Sequence, residues 1–283
     1  MRILITGSRG MLGQDLARVF LVAGHEVLET DREELDITKA SEVMRQAKEY
    51  QPDAIINAAA YNLVDKVEEP AAQGIAMAIN SKGPKNLAEA AKEVGAKFVH
   101  YSTDYVFAGD KPEGYVEADE TSPISKYGET KLAGEKAVQE VGGDWYILRT
   151  SKIFGHPGAS SASKESFVSL MLRLAAEKPS LKIVDEEVGC PTYTPDLAEA
   201  TLKMLADDQP SGIYHVVNEG KGVTWYQFAE EIFELAGVTT PREPVSSDEF
   251  PKPAKRPKFA ALKNTKLPPL RDRAEALREF LSR

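Results

Sequence analysis

The chain has 283 residues, 42% of them hydrophobic, which is enough to bury a substantial core in one large α/β unit or in a main domain with a smaller partner. Its 35 basic and 44 acidic residues are interspersed and leave a net charge of −9, which argues against a nucleic-acid partner. The single cysteine, Cys190, excludes an internal disulfide, and no apolar run is long enough for a membrane span or a signal peptide. We therefore expect a cytoplasmic protein with small-molecule ligands.

Along the first 150 residues, apolar runs rich in β-branched residues alternate with longer helical patterns. The patterns predict strands at 2–6, 26–29, 54–57, 97–102 and 145–148. They predict helices at 11–23, 40–50, 83–94 and 126–140. Such alternation is typical of right-handed βαβ units on a parallel sheet, so we expect a doubly wound α/β fold.

The sequence changes character after Thr150, with a polar loop at 156–163, a helix at 167–176 and a proline-rich segment at 241–269 before a last helix at 271–281. Two apolar runs, 181–184 and 213–217, look like buried strands that return to the first sheet. We therefore predict a nucleotide-binding domain over 1–150 and a smaller, partly interleaved substrate lobe over 151–283.

The segment GSRGMLG at 7–13 joins the first predicted strand to the first helix. Glycines at this turn let backbone amides approach a pyrophosphate whose charge lies against the helix N-terminus. The spacing is G-x-x-G-x-x-G and not the commoner G-x-G-x-x-G, and glycines at a tight turn can be purely structural. The surrounding βαβ pattern favours a Rossmann-type dinucleotide site.

Asp31 ends the second strand, 18 residues beyond Gly13, where a carboxylate can accept the ribose hydroxyls of NAD. The adjacent Arg32 points the other way, because a guanidinium there can hold the 2′-phosphate of NADP. Both residues can also be ordinary solvated charges. A third polar residue, Asp36, either faces the adenine edge or caps the helix that follows.

The segment SKYGETK at 125–131 places Tyr127 and Lys131 four residues apart, on one face of a helix. A neighbouring ammonium is expected to lower the pKa of the phenol and make it a usable general acid. A Y-x-x-x-K pair alone is weak and can be a surface salt-bridging pattern. Ser102 and Thr103, however, end a strand at the same sheet edge, where their hydroxyls can point at a carbonyl.

Long stretches of the chain resemble the extended short-chain dehydrogenases/reductases that act on nucleotide sugars. The resemblance covers nearly the whole chain and rests on TGSRGMLG at 6–13, LDIT at 35–38, NAAAYNLVDKVE at 57–68, HYSTDYVFAGD at 100–110, GYVEADETSPISKYGETKLAGEKAV at 114–138, CPTYTPDLA at 190–198, GIYHVVNEG at 212–220 and RPKFAALKNTKL at 256–267. It implies a reduction, with NADPH or NADH, of the C4 ketone of a nucleotide-linked 4-keto-6-deoxyhexose.

The residue patterns and the resemblance together predict roles for individual residues, with Lys152 added where the chain departs from the family pattern. The catalytic residues are Thr103, Tyr127 and Lys131. The cofactor-binding residues are Gly7, Gly10, Met11, Leu12, Gly13, Asp31, Arg32, Asp36, Ile37, Ala58, Ala59, Tyr61, Ser102, Tyr127 and Lys131. The substrate-binding residues are Asp65, Val67, Thr103, Asp104, Lys152 and Arg256.

Departures from the family pattern keep other functions open. Tyr105 follows Thr103 and Asp104 where dehydratases carry a glutamate, which disfavours dehydration. Lys152 stands where the family has an aromatic residue, and it can pair with a diphosphate or extend into solvent. The alternatives are another 4-ketoreductase, an epimerase, or a regulatory subunit that binds a dinucleotide without turnover. The sequence leaves magnesium, the nucleobase and the choice between monomer and homodimer open.

Overall fold

The computed structural model describes residues 1–160 and 163–282. Residues 161 and 162, which belong to the predicted polar loop, and residue 283 lie outside the described part of the chain. Within the described part, no helix has the length and apolar character needed to cross a membrane.

Strands and helices alternate along the chain. The strands are β1 Arg2–Thr6, β2 Glu26–Thr30, β3 Ala54–Asn57, β4 Lys97–Thr103, β5 Trp145–Thr150, β6 Ile153–Phe154, β7 Leu181–Val184, β8 Thr192–Tyr193, β9 Gly212–His215 and β10 Arg242–Val245. The α-helices are α1 Met11–Val22, α2 Ala40–Tyr50, α3 Pro70–Met77, α4 Gly83–Val94, α5 Lys126–Val141, α6 Phe167–Glu177, α7 Thr194–Ala206, α8 Trp225–Ala236 and α9 Arg273–Ser282. A π-helical turn, Ala78–Lys82, joins α3 to α4, and short 3₁₀ turns occupy Lys66–Glu68, Asp104–Val106 and Ser247–Glu249.

Six parallel strands form the central sheet, in the order β2-β1-β3-β4-β5-β9. This is the doubly wound α/β fold that the alternating pattern predicts, since parallel neighbours require crossover connections. The chain builds outward from β1 to β2 and then continues on the other side with β3, so the order reverses between β1 and β3. Ligands of such sheets bind at the carboxyl ends of the strands beside this switch point.

Two different sets of helices cover the faces of the sheet, because successive side chains of a strand point to opposite sides. On one face, Ile3 and Ile5 of β1 belong to a core that includes residues of α1 and α7. On the other face, Leu4 belongs to a core with residues of α2, α4 and α5. All three β1 side chains are fully buried. Both faces of the open sheet are therefore covered by hydrophobic cores. Polar side chains such as Thr6, Asn57 and Thr103 lie at the carboxyl ends of its strands.

The smaller lobe has its own aromatic core. The Phe154 ring lies 5.2 Å from the Tyr193 ring, 5.6 Å from that of Phe228 and 6.0 Å from that of Phe280, measured between centroids. These residues come from β6, β8, α8 and α9, so the core ties together segments that are far apart in the sequence. Strands β6 and β8 pair in parallel beside it.

The two apolar runs predicted to return to the central sheet behave differently. Strand β9 does return, pairing with β5 at the sheet edge. Strand β7 instead pairs with β10 in a separate two-stranded sheet, so that prediction is wrong. In β7, Leu181 and Ile183 are buried and Lys182 is exposed, which fits a ribbon covered on one face. Four residues of this kind identify a strand but not the sheet that it joins.

Candidate active site

The glycine loop after β1 is built by close backbone contacts. Gly7 has φ +71°, and a Cβ there would lie 2.6 Å from the amide nitrogen of Ala59, after β3. A Cβ on Gly13, in the first turn of α1, would lie 2.0 Å from the Gly7 carbonyl oxygen. A side chain at either position would therefore separate the loop from its neighbours. The glycines hold β1, β3 and α1 together at the switch point.

The N-terminus of α1 opens from this loop without a side-chain cap. Gly10 occupies the N-cap position and, having no side chain, makes no side-chain cap hydrogen bond to the first turn. The first amides of a helix need external acceptors, and an anionic group is favoured at that end of the helix dipole. A glycine cradle followed by an uncapped helix start, whose first residues are Met11 and Leu12, fits the pyrophosphate of a dinucleotide.

Asp31 and Arg32 differ in how closely they approach this loop. The Asp31 carboxylate accepts hydrogen bonds from the Arg9 amide at 3.3 Å and the Arg32 amide at 2.7 Å. The Arg32 side chain is exposed, while the Arg9 guanidinium forms ion pairs with Glu33 and Glu34. Asp31 is thus fixed beside the glycine loop, at the position that the ribose interpretation requires.

Asp36 and Ile37 shape the connection between β2 and α2. Asp36 accepts hydrogen bonds from the Thr38 amide and hydroxyl at 3.0 and 2.7 Å, and these bonds lower the pKa of its carboxyl. The N-cap of α2 is Lys39, so Asp36 closes a local turn and does not cap the helix. Ile37 is buried against α4, where a Cβ on Gly83 would lie 2.6 Å from its Cδ1.

Two asparagine side chains hold the backbone of the segment after β3, which contains Ala58, Ala59 and Tyr61. The Ala59 amide donates to Oδ1 of Asn57 at 3.1 Å. The side chain of Asn80 bonds to both the amide and the carbonyl of Tyr61, at 2.8 and 3.0 Å. Both asparagines are buried, and neither was predicted as a site residue.

Thr103 and Tyr127 meet where the end of β4 faces the start of α5. Ser125 caps α5 by accepting a hydrogen bond from the Gly128 amide at 3.2 Å. A Cβ on Gly128 would lie 2.3 Å from the Tyr105 carbonyl oxygen, so this glycine lets the helix approach the segment after Thr103. The Thr103 hydroxyl lies close enough to the Tyr127 phenol to lower the pKa of the phenol. Two of the three residues predicted to be catalytic are therefore neighbours in the structure.

Lys131 lies one turn further along α5 and is buried. Its Nζ donates to the Tyr101 carbonyl oxygen of β4 at 2.6 Å. Burial lowers the pKa of Lys131 to about 8, although the Glu135 carboxylate one turn later acts in the opposite direction. The nearby Ser102 hydroxyl is also buried and has no hydrogen-bond partner among the described residues.

The pKa of Tyr127 moves opposite to the sequence-based expectation. Burial raises it, the Asp104 carboxylate raises it further, and the hydrogen bond with Thr103 lowers it. Lys131 is not among the groups that shift it. The prediction that the lysine lowers the pKa is therefore wrong for this structure, because the ammonium is bound to a backbone carbonyl and burial dominates the phenol. Tyr127 stays protonated at neutral pH.

Asp104 links the end of β4, which carries the candidate catalytic residue Thr103, to the segment after β5. Its buried carboxylate accepts hydrogen bonds from the Thr103 hydroxyl at 2.9 Å and the Ser151 hydroxyl at 2.6 Å. Burial raises the pKa of Asp104, while these two bonds and the Lys152 charge lower it. The Ser151 hydroxyl also accepts from the Cys190 amide at 3.1 Å. The carboxylate is thus held by donors from both β4 and the segment after β5.

Lys152 does not extend into solvent. Its Nζ donates to the carbonyl oxygens of Glu187 at 2.6 Å and Val223 at 3.0 Å, and lies 4.0 Å from the centroid of the Trp225 ring. Burial lowers the pKa of Lys152 to about 8, opposed by the Asp104 and Glu187 carboxylates. Two of its three N–H donors are therefore used inside the lobe, and the predicted pairing with a diphosphate would depend on the third.

Two predicted substrate residues pair with each other. Arg256 forms a two-pronged ion pair with Asp65, with nitrogen–oxygen distances of 2.7 and 2.8 Å. The same Asp65 carboxylate accepts from the Ala254 amide at 3.3 Å. Val67, two residues after Asp65, is fully buried. The pair ties the segment after β3 to the C-terminal extended segment, across the carboxyl edge of the sheet.

The smaller lobe also touches the glycine loop directly. A Cβ on Gly158 would lie 2.2 Å from the Arg9 carbonyl oxygen, and the Ser160 amide donates to that oxygen at 2.9 Å. Nε2 of the Gln14 side chain, on α1, donates to the His156 carbonyl oxygen at 2.8 Å. The segment 156–160 therefore packs on the candidate cofactor loop. Among the described residues, no group of three or more His, Cys, Asp or Glu side chains is arranged to hold a metal ion.

The six-stranded parallel sheet and the glycine loop at its switch point define a Rossmann-type oxidoreductase fold of the short-chain dehydrogenase/reductase class. The family model described as the RmlD substrate binding domain matches residues 1–282. The chain belongs to this family.

Individual relatives agree with this assignment over nearly their whole lengths. A dTDP-4-dehydrorhamnose reductase of Burkholderia thailandensis is 38% identical, covering 94% of this chain and 92% of the relative. A crystal structure of a dTDP-4-dehydrorhamnose reductase from Clostridium acetobutylicum has a TM-score of 0.93 at 40% identity, covering 100% of this chain and 99% of the other. The Bacillus anthracis enzyme, solved in complex with NADP, has a TM-score of 0.92 at 36% identity, covering 99% and 98%.

Proposed function

We propose that this protein reduces the C4 ketone of dTDP-4-dehydro-L-rhamnose to the alcohol of dTDP-L-rhamnose, using NADPH or NADH. The observation that carries the proposal is that Thr103, at the end of β4, lies beside Tyr127 at the start of α5, with Lys131 buried one turn further along the helix. The relatives named as dTDP-4-dehydrorhamnose reductases support the choice of substrate.

The cofactor fits the chain's own residues. The glycine loop at 7–13 would hold its pyrophosphate, Asp31 its adenosine ribose, and Ala58, Ala59 and Tyr61 would line the segment next to it. A bound NADPH or NADH would supply the hydride for C4 of the sugar. The protein contributes orientation and proton handling, and the NADP complex of the Bacillus anthracis relative supports this assignment.

Tyr127 is the proposed proton donor to the carbonyl oxygen. Its raised pKa keeps the phenol protonated at neutral pH, and the Thr103 hydroxyl positions it. The Thr103 hydroxyl donates its one proton to Asp104 in a 2.9 Å hydrogen bond, and it would turn from Asp104 to donate that proton to the developing alkoxide. Lys131 places a positive charge near the same site.

We propose that residues 151–283 mainly form the substrate lobe. Arg256 is the proposed ligand of the nucleotide phosphates, and Asp65 holds its guanidinium in place. Val67 and Asp104 border the sugar. Lys152 is proposed to support the wall of the sugar pocket through its two backbone carbonyl bonds, which leaves one N–H donor for the substrate.

The test measures loss of NAD(P)H absorbance with and without dTDP-4-dehydro-L-rhamnose, and identifies the product by NMR. We expect cofactor oxidation that depends on the sugar nucleotide. In Tyr127→Phe, kcat should fall about 10²- to 10⁴-fold because the transferable proton is lost, while NAD(P)H affinity changes little. Near-normal turnover in this variant would remove Tyr127 from the mechanism. Cofactor binding without turnover on any 4-keto-6-deoxy sugar nucleotide would favour a non-catalytic binding subunit.

A further inference from the structure

We propose that Glu187 determines substrate specificity by accepting a hydrogen bond from a ring hydroxyl of the bound 4-keto sugar, at C2 or C3. This rests on the proposed function, since it identifies what the sugar pocket recognises. Nothing in the spacing or composition of the sequence predicts a role for Glu187, which lies between β7 and β8.

The backbone at Glu187 is fixed in an uncommon conformation. Glu187 has φ +63° and Lys152 has φ +43°, and the two residues are joined by the 2.6 Å bond from the lysine Nζ to the Glu187 carbonyl. Left-handed backbone is unfavourable for residues with a side chain, so both conformations depend on the surrounding contacts. Residues held in this way are concentrated at ligand sites.

The Glu187 carboxylate has one oxygen engaged and one available. Its Oε2 accepts a hydrogen bond from the Trp225 indole nitrogen at 2.8 Å. Its Oε1 has no hydrogen-bond partner within residues 1–160 and 163–282. The residue is 9% exposed, and Oε1 is not one of the fully buried unpartnered atoms, so a ligand can reach it. A nearly buried carboxylate with spare acceptor capacity is well suited to a ligand that brings O–H donors.

Hydrogen bonds connect Glu187 to the candidate catalytic residues. The Lys152 ammonium donates to the Glu187 carbonyl at 2.6 Å, and the preceding residue, Ser151, donates to Asp104 at 2.6 Å. Asp104 in turn accepts from Thr103, which lies beside the proposed proton donor. Glu187 therefore lies on the side of the candidate site where we propose that the sugar binds.

The charge of Glu187 limits what it can recognise. A carboxylate repels a diphosphate or an acidic sugar but accepts hydrogen bonds from neutral hydroxyls. The groups of a 4-keto sugar nucleotide that suit it are therefore the sugar hydroxyls. Trp225 holds the Glu187 carboxylate through Oε2 and Lys152 holds its backbone carbonyl, so we assign them as positioning residues.

The experiment compares three dTDP-linked 4-keto-6-deoxyhexoses: the parent sugar, its 2-deoxy analogue and its 3-deoxy analogue. For the wild-type protein, we expect kcat/KM to fall about 10- to 100-fold for the one analogue that lacks the contacted hydroxyl, the range for a hydrogen bond to a charged group. In Glu187→Ala, the parent should fall to the level of that analogue, so that the discrimination disappears. Glu187→Gln should retain part of it, because its carbonyl oxygen can still accept from Trp225.

The matched control is Glu186→Ala. That carboxylate accepts a hydrogen bond from the Ser247 amide at 3.2 Å, on the side of β10, so its loss should leave discrimination unchanged. Thermal melting of each variant reports whether it folds, and Glu187→Gln serves if Glu187→Ala does not. Wild-type turnover without discrimination, or discrimination that survives in the Glu187 variants, would overturn this inference alone. Absence of wild-type turnover with all three sugars would overturn the proposed function and this inference together.

Discussion

Burial controls the protonation of the two side chains at the centre of the candidate site. It raises the pKa of Tyr127 and lowers that of Lys131 to about 8. Below that value the lysine is charged and the phenol is protonated, so both groups are in the form that the proposed reaction needs. At neutral pH, Tyr127 and Lys131 are therefore both protonated at the same time.

The pH dependence of kcat/KM follows from the lysine. As pH rises through about 8, Lys131 loses its proton, and we expect kcat/KM to fall about tenfold per pH unit above that point. Lys131→Arg should shift this decline to higher pH, because a guanidinium stays charged. A profile that remains flat up to the ordinary pKa of lysine would contradict the assignment. Initial rates across the range, with stability checked at each pH, provide the measurement.

We predict that cofactor choice depends on Asp31, since its carboxylate lies at the glycine loop while the Arg32 side chain is exposed. We expect both NADH and NADPH to be used. Asp31→Ala should weaken NADH more than NADPH, because the ribose diol of NADH loses its acceptor. Fluorescence titration of each reduced cofactor measures the two dissociation constants. Equal losses for both would place the Asp31 side chain outside the ribose site.

Sequence patterns predicted Thr103, Tyr127 and Lys131 as candidate catalytic residues. The signals were the end of a predicted strand, for Thr103, and the four-residue spacing on a predicted helix, for Tyr127 and Lys131. The same patterns could not predict the direction of the Tyr127 shift, which depends on where the Lys131 ammonium finds its acceptor. They also could not predict Glu187, whose partners come from segments distant in the sequence. Asn57 could have been predicted from the sequence, since a polar residue that ends a buried strand is a recognisable signal.

One buried ion pair connects the catalytic helix to the central sheet. Glu135 of α5 and Arg149 of β5 are bound through two nitrogen–oxygen contacts, at 2.9 and 2.7 Å, and their side chains are 0% and 3% exposed. The Arg149 guanidinium also lies 5.0 Å from the centroid of the Phe107 ring. The pair therefore fixes α5, and with it Tyr127, against β5.

Breaking this pair should destabilise the protein strongly. Glu135→Gln leaves the Arg149 charge buried without its partner, and we expect a loss of about 3–5 kcal/mol in the free energy of unfolding. The double variant with Arg149→Met should lose less than the sum of the single losses, since no unpaired charge remains. Urea unfolding measures all three. Additive losses would mean that the two side chains do not depend on each other.

Helices and strands with a clear period were predicted to within a few residues, as α4 and β3 illustrate. Strand β7 was recognised as a strand but assigned to the wrong sheet. Its four residues have a local preference for strand conformation. Its partner, β10, lies some sixty positions later in the chain, so the pairing cannot be seen in the local sequence. Local sequence determines such an element, and tertiary contacts determine its neighbours.

At the scale of the whole molecule, the two lobes share both chain and contacts. The segment 156–160 of the smaller lobe rests on the glycine loop, and the Asp65–Arg256 pair closes the opposite side of the crevice. Helix α7 and strand β9 belong to the core and the edge of the central sheet, although both come after the first parts of the smaller lobe. The candidate site is therefore framed by segments from across the sequence.

This interleaving has a consequence for how the protein is made. During translation, residues 1–150 leave the ribosome before Leu197 of α7 and Tyr214 of β9, which complete one face of the core. The nascent first domain therefore has an unpaired edge at β5 and an uncovered apolar face. We expect a fragment of residues 1–150 to aggregate and to lack a cooperative thermal transition, while the full chain unfolds in one step. Light scattering and calorimetry of the two proteins provide the test, and a soluble fragment with a sharp transition would contradict it. Aggregation of the fragment would mean that β5 stays exposed during synthesis until residue 215 has been translated. During that interval a chaperone would have to shield the strand, and the first domain could fold only after it.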